Sequence, residues 1–299
     1  MSEKAITLKS LGQWYGLIVV YFFVLLVISG VLLIYVFGIV SYMDVTKFIH
    51  QNITTSIYLY MLVGFVAQLI DGSLGMAYGV SSTSFLISTG VSPAVSSASV
   101  HAAEVFTTGI SGLSHWRFKN INKKMFMQLA IPGAIGAIVG AYFLSSFNGE
   151  MIKPYITIYL LLMGFRIIYK AWKKKNIDSK KFKHFSILGL IGGFVDASGG
   201  GGWGPLVTTT LVGIGKEPKI TIGTVNAAEF LVTIASSGIF TMLIGLQHWS
   251  IILGLLLGGI LAAPLAAFLC HKINSRWAMF LVGLLIIGLS IRTLLKIWL

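Results

Sequence analysis

The sequence is dominated by apolar stretches that are long enough to cross a lipid bilayer as helices. Crossing the hydrocarbon core takes roughly 18 to 20 apolar residues in helical form. Seven stretches approach or exceed that length: residues 14–40, 94–114, 125–147, 154–171, 220–246, 250–270 and 277–298. Only 10% of the residues are charged, whereas soluble domains carry about 25%. The sequence therefore predicts an all-α polytopic membrane protein with seven transmembrane helices, and it excludes a soluble globule.

Two features near the ends of the chain bear on this assignment. The first stretch, 14–40, lacks a small-residue cleavage site and is too long for the apolar region of a signal peptide, so we expect it to be a permanent helix. The single cysteine, Cys270, lies inside an apolar stretch. A disulfide within the chain is therefore excluded, and we expect this cysteine to pack against neighbouring helices.

The net charge of +13 is concentrated in two short connections between apolar stretches. One holds Arg117, Lys119, Lys123 and Lys124, and the other holds seven lysines between Lys170 and Lys183. An excess of Lys and Arg in short loops marks the cytoplasmic side of a membrane protein and attracts anionic lipid. We therefore interpret the charge as a topology signal and expect no nucleic-acid partner.

An internal repeat relates the two halves of the chain at an offset of 125 residues. The offset aligns Asp71 with Asp196, Ser73 with Ser198, Gly75 with Gly200, Gly79 with Gly204, Pro93 with Pro218, and His101-Ala-Ala-Glu104 with Asn226-Ala-Ala-Glu229. This pattern predicts four regions. They are an N-terminal transmembrane helix and loop (1–57), repeat 1 (58–171), a basic cytoplasmic linker (172–183) and repeat 2 (184–299).

Each repeat opens with an apolar segment that is too short for two membrane spans. Residues 58–90 and 184–214 are interrupted by glycine-rich sequence, and two spans with a turn need roughly 40 residues. We therefore predict two re-entrant hairpins, each made of two half-helices that meet inside the membrane. Irregular backbone at that depth must be covered by protein or line a cavity.

The positions of the basic residues favour two repeats of inverted topology. Three spans per repeat, an odd number, turn the second repeat over, which places the loop at residues 247–249 outside and Lys272 and Arg276 inside. Parallel duplication places that uncharged loop inside and the two basic residues outside. Inversion agrees better with the charges, although Arg292 and Lys296 then fall outside.

Four of the nine acidic residues lie in apolar segments and are paired by the repeat: Asp71, Glu104, Asp196 and Glu229. A carboxylate inside a membrane is costly, and its default interpretation is functional. For Asp71 and Asp196 the alternative is structural, because each stands where a cap for the second half-helix is expected. Glu104 and Glu229 lie deep in long helices with no cap to provide, which favours a proton-carrying role over a structural one.

The glycine-rich interruptions predict an anion site, because backbone N–H groups and the first turns of two short helices converge there. No Lys or Arg is expected at the centre of the bilayer. Hydroxyl groups and a protonated His101 are then the remaining side-chain donors, the hydroxyls being those of Ser73, Ser198, Ser81, Ser82, Thr83 and Thr208. The alternative for the glycines is close packing between helices.

The two interruptions resemble those of the TauE/SafE family of membrane permeases, also called sulfite exporters. They read Asp71-Gly-Ser-Leu-Gly-Met-Ala-Tyr-Gly and Asp196-Ala-Ser-Gly-Gly-Gly-Gly-Trp-Gly-Pro, and each is followed about 13 residues later by a proline. The resemblance covers residues 58–299. The chain departs from it at Leu74, Met76 and Ala77, where the family is richer in glycine, and in the additional helix at 14–40.

The resemblance implies secondary transport of sulfite or small organosulfonates, generally outward and coupled to an ion gradient. It further implies that the hairpins at 71–80 and 196–205 form the substrate site. The candidate substrate-binding residues are Asp71, Ser73, Gly75, Tyr78, Ser81, His101, Asp196, Ser198, Gly199, Gly200, Gly201, Gly202, Trp203 and Asn226. Glu104 and Glu229 are the candidate proton carriers in an alternating-access cycle.

Two other functions remain open from the residues alone. A cation transporter or channel explains the four carboxylates directly. An intramembrane enzyme could use His101 and Glu104 as metal ligands, but the repeat places Asn226, a poor ligand, opposite His101, and no HExxH pattern is present. We therefore expect no enzyme activity, no cofactor and no metal. The expected partners are a small anionic substrate and the bilayer of the plasma membrane, with a homodimer left open.

Overall fold

The computed structural model describes residues 46–47, 49–51, 53–117, 119–172, 182–246, 248–269 and 275–299. The predicted first helix at 14–40, Cys270 and most of the basic linker lie outside these residues. Within Ser56–Leu299, which forms one compact unit, all the regular structure that is described is helical. The helices are α1 (Ile57–Leu74), α2 (Tyr78–Ser88), α3 (Pro93–Arg117), α4 (Lys123–Ser146), α5 (Gly149–Trp172), α6 (Phe185–Gly199), α7 (Thr209–Gly213), α8 (Pro218–Ile244), α9 (Trp249–Leu269) and α10 (Ser275–Trp298).

Each predicted hairpin consists of two helices separated by a short irregular segment. The first break, residues 75–77, joins α1 to α2, and the second break, residues 200–202, joins α6 to a π-helical turn, Gly204–Thr208, that continues into α7. Gly75 and Gly200 end α1 and α6 with φ of 68° and 72°, the left-handed conformation that glycine adopts without steric cost. Equivalent positions of the repeat thus end both first half-helices.

The long helices pack in pairs that join the first half of the chain to the second. Helix α1 packs on α9, and α6 packs on α4. Small residues allow these close approaches: a Cβ on Gly64 would lie on the backbone of Leu255, and one on Gly189 would lie 2.6 Å from the carbonyl oxygen of Leu129. Helix α3 packs on α8, and α5 packs on α10.

Four of the described helices are long and apolar enough to span a membrane: α4, α5, α8 and the part of α10 from Arg276 to Trp298. The predicted span at 94–114 forms the long helix α3, but its serines and threonines lower its hydropathy. The predicted span at 250–270 contributes a shorter apolar segment, Trp249–Ala262, and the first half-helices contribute Ile57–Asp71 and Phe185–Gly199. Large apolar side chains are exposed along the outside of the bundle, as lipid contact requires.

Candidate functional site

A small cavity lies between the two breaks and the middle of α3 and α8. It has a volume of about 10 Å³, which is room for roughly one water molecule. Its lining includes all four of the carboxylates that the repeat pairs, and among the described residues no Lys or Arg lines it. The lining residues are Asp71, Ala77, Tyr78, Gly79, Val80, Glu104, Thr107, Thr108, Asp196, Gly202, Gly204, Pro205 and Glu229. We call this space the central cavity.

Asp71 and Asp196 each cap the second helix of their own hairpin, but from a position that differs from the prediction. Neither precedes the second half-helix as an ordinary N-cap residue. Both lie in the last turn of the first half-helix and reach across the break. Asp71 Oδ1 accepts a hydrogen bond from the Tyr78 amide at 3.4 Å, and Asp196 Oδ1 accepts one from the Trp203 amide at 2.8 Å. Each carboxylate thereby complements the positive end of the following helix.

Asp196 also joins the two halves of the chain through His101 on α3. Its Oδ2 lies 3.1 Å from His101 Nε2, and both side chains are almost fully buried. His101 Nδ1 lies 2.8 Å from the carbonyl oxygen of Ser97. A carbonyl can only accept, so Nδ1 must carry the proton that it donates. Both ring nitrogens are therefore engaged with the protein in this conformation, and the predicted role of His101 as a donor to an anion stays a prediction.

The four consecutive glycines of the second break are covered by protein rather than open to the central cavity along their length. A Cβ on Gly199 would lie on the ring of Tyr159, and one on Gly202 would lie on its hydroxyl group. A Cβ on Gly200 would meet Thr83, and one on Gly201 would meet the backbone of Gly79. Of the four, Gly202 alone lines the cavity. Close packing, the structural alternative, accounts for the glycines in this conformation.

Each break touches the start of the second helical segment of the other hairpin, through equivalent positions. A Cβ on Gly79 would lie 2.8 Å from the Cα of Gly201, and a Cβ on Gly204 would lie 2.9 Å from the Cα of Met76. The offset of 125 residues converts the first contact into the second. Main chain therefore meets main chain at both of these equivalent contacts.

Most of the polar side chains expected to hold a substrate are engaged with the protein itself. Ser81 and Ser198 donate to carbonyls of the preceding turn, those of Ala77 and Phe194. Thr83 donates to the carbonyl of Gly200, and Asn226 donates to Ser111 Oγ at 3.0 Å. The side chain of Ser73 lies outside the described part of the chain.

The two aromatic candidates have structural contacts as well. Tyr78 donates its hydroxyl proton to the carbonyl of Leu255 at 3.2 Å, and Trp203 donates its indole N–H to the carbonyl of Val225 at 3.1 Å. The Trp203 ring is fully buried and packs beside Gly133 and Gly192. Tyr78 lines the central cavity, whereas Trp203 is not one of its lining residues.

The glutamates remain the side chains with unused hydrogen-bonding capacity at the cavity. Glu104 is 3% exposed, and its Oε2 has no hydrogen-bond partner in the part of the chain that the structure describes. Glu229, at the equivalent position on α8, is half-buried and lines the same cavity. A buried oxygen without a partner is costly unless it is protonated toward a neighbour or meets a ligand or water.

Two residues of α5 that sequence reasoning missed hold the second hairpin in place. Tyr159 donates to the carbonyl of Gly201 at 2.7 Å. Arg166 donates through Nε to the carbonyl of Pro205 at 3.0 Å, and through Nη2 to the hydroxyl of Thr209 at 3.1 Å. The spacing of seven residues puts both on one face of a helix, which is the one signal that could have linked them.

A resident metal site finds no support in the described residues. His101 Nε2 faces Asp196 instead of sharing a ligand position with Glu104. No cluster of three or more His, Cys, Asp or Glu side chains suited to a metal ion occurs in the part of the chain that the structure covers.

Comparison with known proteins identifies the family. The sequence pattern described as "Sulfite exporter TauE/SafE" matches residues 60–293. The chain is 46% identical over 250 residues to the probable membrane transporter protein YtnM of Bacillus subtilis (strain 168), covering 80% of this chain and 83% of that protein. It is 24% identical to the probable membrane transporter protein YjnA of the same strain (76% and 95% covered) and 27% identical to the probable membrane transporter protein ORF9 of Sinorhizobium sp (80% and 94% covered).

No solved structure matches the chain. The family pattern spans most of the sequence; of the described helices long enough to cross a membrane, α4, α5 and α8 lie within the matched region and α10 begins in it. The protein is thus a multi-pass membrane protein, and it belongs to the sulfite exporter TauE/SafE family of membrane transporters.

Proposed function

We propose that this protein is a secondary transporter that moves sulfite or a small organosulfonate out across the plasma membrane, with protons as the coupling ion. The observation that carries the proposal is the central cavity, where the first turns of two short helices and four carboxylates from both halves of the chain converge. The family description names sulfite, which defines the substrate class to be tested first.

The aspartate caps supply a physical reason for proton coupling. The helix ends that would attract an anion already hold one, because Asp71 and Asp196 accept the amide hydrogens of Tyr78 and Trp203. A second negative charge at the same amides is strongly disfavoured in a medium of low dielectric constant. A substrate anion can bind there once a carboxylate in the cavity is neutralised, so substrate and proton bind together.

Glu104 and Glu229 are the side chains to which we assign that proton. They occupy equivalent positions on α3 and α8 and face the same cavity. Glu104 has an oxygen without a protein partner, which leaves it able to exchange a proton with water or substrate. Neither residue caps a helix, so a change in its protonation does not break the hairpins.

Alternating access follows from the size of the cavity and from the arrangement of the helices. The cavity has room for about one water, whereas sulfite has four heavy atoms, so the hairpin tips must separate to admit substrate. The contacts of Gly79 with Gly201 and of Gly204 with Met76 are those expected of two inverted repeats related by a pseudo-two-fold axis. In such transporters the site lies between the repeats, which move relative to each other.

A cation transporter is the second candidate, because the described lining of the central cavity contains four carboxylates and neither Lys nor Arg. Carboxylate oxygens are suitable ligands for hard cations. A cation would bind to the ionised acids directly and would not need them to be neutralised. The two functions therefore differ in what protonation of the cavity does: it promotes anion binding and opposes cation binding.

The test is flux into proteoliposomes that contain the purified full-length protein. Sulfite, sulfoacetate, taurine, sulfate and thiosulfate are compared with Na⁺, K⁺ and divalent metal ions, each with and without a pH gradient. We expect saturable uptake of one or more sulfur oxyanions that a pH gradient accelerates. Uptake of a metal or alkali cation without any response to these anions would replace the first function with the second.

The glutamine variants test the assigned proton carriers in the same vesicles. Glutamine has nearly the same shape as protonated glutamate but carries no titratable proton. We expect Glu104→Gln and Glu229→Gln to exchange labelled substrate across the membrane while losing the response to the pH gradient. Unchanged coupling in both variants would show that the glutamates are structural, and Glu150→Gln, at an exposed position, is the matched control.

A further inference from the structure

The two ends of the α3–α8 pair differ in a way that the internal repeat does not predict. The helices are antiparallel: Asn226 near the start of α8 contacts Ser111 near the end of α3, and Val95 at the start of α3 lies beside Ile244 at the end of α8. The central cavity lies between these ends, at Glu104 and Thr108. Under the repeat the two ends are equivalent, so any difference between them is a property of this sequence.

One end carries a second cavity, which is larger than the central one. Its volume is about 90 Å³, against about 10 Å³ for the central cavity. It is lined by Val95, Ala98, Ser99, Ile244, Gly245, Leu246, His248 and Ile252. Along α3, Ser99 lies five residues from Glu104, which is about 7.5 Å of helix. His101 lies between Ser99 and Glu104 in the sequence of α3, and its ring centroid is 6.0 Å from that of Phe240 on α8. We call this space the end cavity.

At the opposite end the equivalent space is filled by the connection between α3 and α4. The offset of 125 residues converts Gly245 into Asn120 and Ala98 into Gly223. Asn120 is 6% exposed, and its carbonyl oxygen would lie 2.5 Å from a Cβ placed on Gly223. Its backbone donates to the carbonyl of His115 at 2.9 Å, and its side-chain amide lies 3.4 Å from His115 Nδ1.

A further hydrogen bond ties the same connection to α8. Ser99 of the end cavity corresponds to Thr224, and Thr224 Oγ1 accepts a hydrogen bond from the Asn122 amide at 2.9 Å. Asn122 also caps α4 by accepting from the Met125 amide at 3.0 Å. The connection is therefore anchored to both helices that it closes over, and the carbonyl oxygen and Cβ of Asn120 lie over Gly223, whereas Gly245, the residue equivalent to Asn120, lines the end cavity.

We propose that the end cavity is the open entrance of the transport pathway, and that Asn120, seated over Gly223, is the closed gate at the opposite end. The gating role depends on the proposed alternating-access function. Under the charge-based topology, Asn120 faces the cytoplasm and the end cavity faces outward, because Lys123 and Lys124 lie three and four residues after Asn120 in the same short connection. The chemistry of the entrance suits a small anion with an apolar part, since Ser99 and His248 are the polar side chains in a lining that is otherwise apolar or glycine.

The test measures the reactivity of single cysteines toward the anionic reagent 2-sulfonatoethyl methanethiosulfonate, in a Cys270→Ala background. Ser99→Cys and Thr224→Cys occupy equivalent positions at the open and closed ends. We expect Ser99→Cys to react from its own side of the membrane at least several-fold faster than Thr224→Cys reacts from the other side. Val95→Cys is the substitute at the open end if Ser99→Cys does not fold.

Opening the gate is the second arm of the test. Asn120→Ala removes the amide contact with His115, a hydrogen bond worth about 1 kcal/mol, which corresponds to a roughly fivefold larger open population. We expect Thr224→Cys to react about fivefold faster in the Asn120→Ala protein and unchanged in Lys124→Ala, a control at an exposed position of the same end. If Thr224→Cys reacts at the same rate in the Asn120→Ala and Lys124→Ala proteins, Asn120 does not act as the gate.

Filling the entrance is the third arm. Ala98→Leu places a larger side chain in the end cavity, and we expect it to slow modification of Val95→Cys and to lower substrate uptake severalfold. Normal uptake with the cavity filled would overturn the entrance. The reactivity measurements need no substrate, so they can succeed even if the flux experiments reject sulfur oxyanions, and the two proposals can fail separately.

Discussion

The buried pair of His101 and Asp196 allows a quantitative prediction about the stability of the second hairpin. Asp196→Ala removes the acceptor of the Trp203 amide and the partner of His101 Nε2, which lie 2.8 and 3.1 Å from its oxygens. Leaving a buried polar group unsatisfied costs about 1 to 3 kcal/mol. Two such groups lower the free energy of unfolding by about 4 kcal/mol. This corresponds to a drop of roughly 8 °C in apparent melting temperature, at about 2 °C per kcal/mol.

The isosteric variant Asp196→Asn should cost far less. Its amide oxygen can still accept from the Trp203 amide. Its amide nitrogen can donate to Nε2 of a neutral His101, because Nδ1 of that ring already donates to the carbonyl of Ser97. We expect a loss within about 1 kcal/mol, or roughly 2 °C. Asp71→Ala removes one longer hydrogen bond, of 3.4 Å, and should fall in the same small range.

The assay is thermal unfolding of the purified protein in one detergent, followed by size-exclusion chromatography of the heated samples. Glu150→Ala, which removes an acid with 81% side-chain exposure, is the control and should not change the melting temperature. If Asp196→Asn is destabilised as much as Asp196→Ala, the pair acts through its charge and the hydrogen-bonding argument is wrong. If Asp71→Ala lowers the melting temperature as much as Asp196→Ala does, the predicted difference in stability between the two aspartate caps is wrong.

Three further predictions concern the breaks and the topology. Ala77 has φ of 94°, a backbone conformation that costs a residue with a side chain about 1 kcal/mol or more. Ala77→Gly should therefore raise the melting temperature by roughly 2 °C. A lower melting temperature would show that the methyl group of Ala77 is needed for packing. Tyr159→Phe keeps the ring against Gly199 but leaves the carbonyl of Gly201 without its hydrogen-bond donor. We expect the free energy of unfolding to fall by about 1 kcal/mol and substrate uptake to be reduced. Normal uptake would exclude a role of the Tyr159 hydroxyl in positioning the second break. Single cysteines at Lys174 and His248 should be labelled from opposite sides of the membrane in a Cys270→Ala background, and labelling of both from the cytoplasm would reject the inverted repeat.

Helix positions could be predicted closely from the sequence because their signals are local. The apolar stretch 125–147 became α4, Lys123–Ser146, whose start is fixed by the Asn122 cap. The repeat also identified the four carboxylates that line the central cavity. The number of spans was harder to predict, because α3 is long enough to cross the bilayer but carries polar side chains toward α8, such as Ser111 and Thr108.

The environment of the breaks could not be predicted, because it depends on residues far away in the chain. The space beside Gly199 is filled by Tyr159, and the carbonyl of Gly200 is bound by Thr83, which is 117 positions away. A glycine run shows that something approaches closely, but it does not show whether that is a ligand or a neighbouring helix. The position of the caps could not be predicted for a related reason. The left-handed glycine at each break turns the chain so that the aspartate four residues before the glycine reaches an amide seven residues after the aspartate, at the start of the next helix.

The aspartate caps provide a physical distinction between anion transport and cation transport. In the structure, each second half-helix has its first amide bound to an aspartate of its own hairpin, so the positive end of each helix is already matched by a negative charge. A transported anion at that amide must displace the carboxylate, and the charge of the cavity stays constant if one proton enters with each negative charge. A transported cation has no reason to disturb these hydrogen bonds, because it is attracted to the carboxylates as they stand. Anion transport on this scaffold therefore requires the hairpins to exchange an internal ligand for an external one, and that exchange links proton binding to the separation of the two breaks.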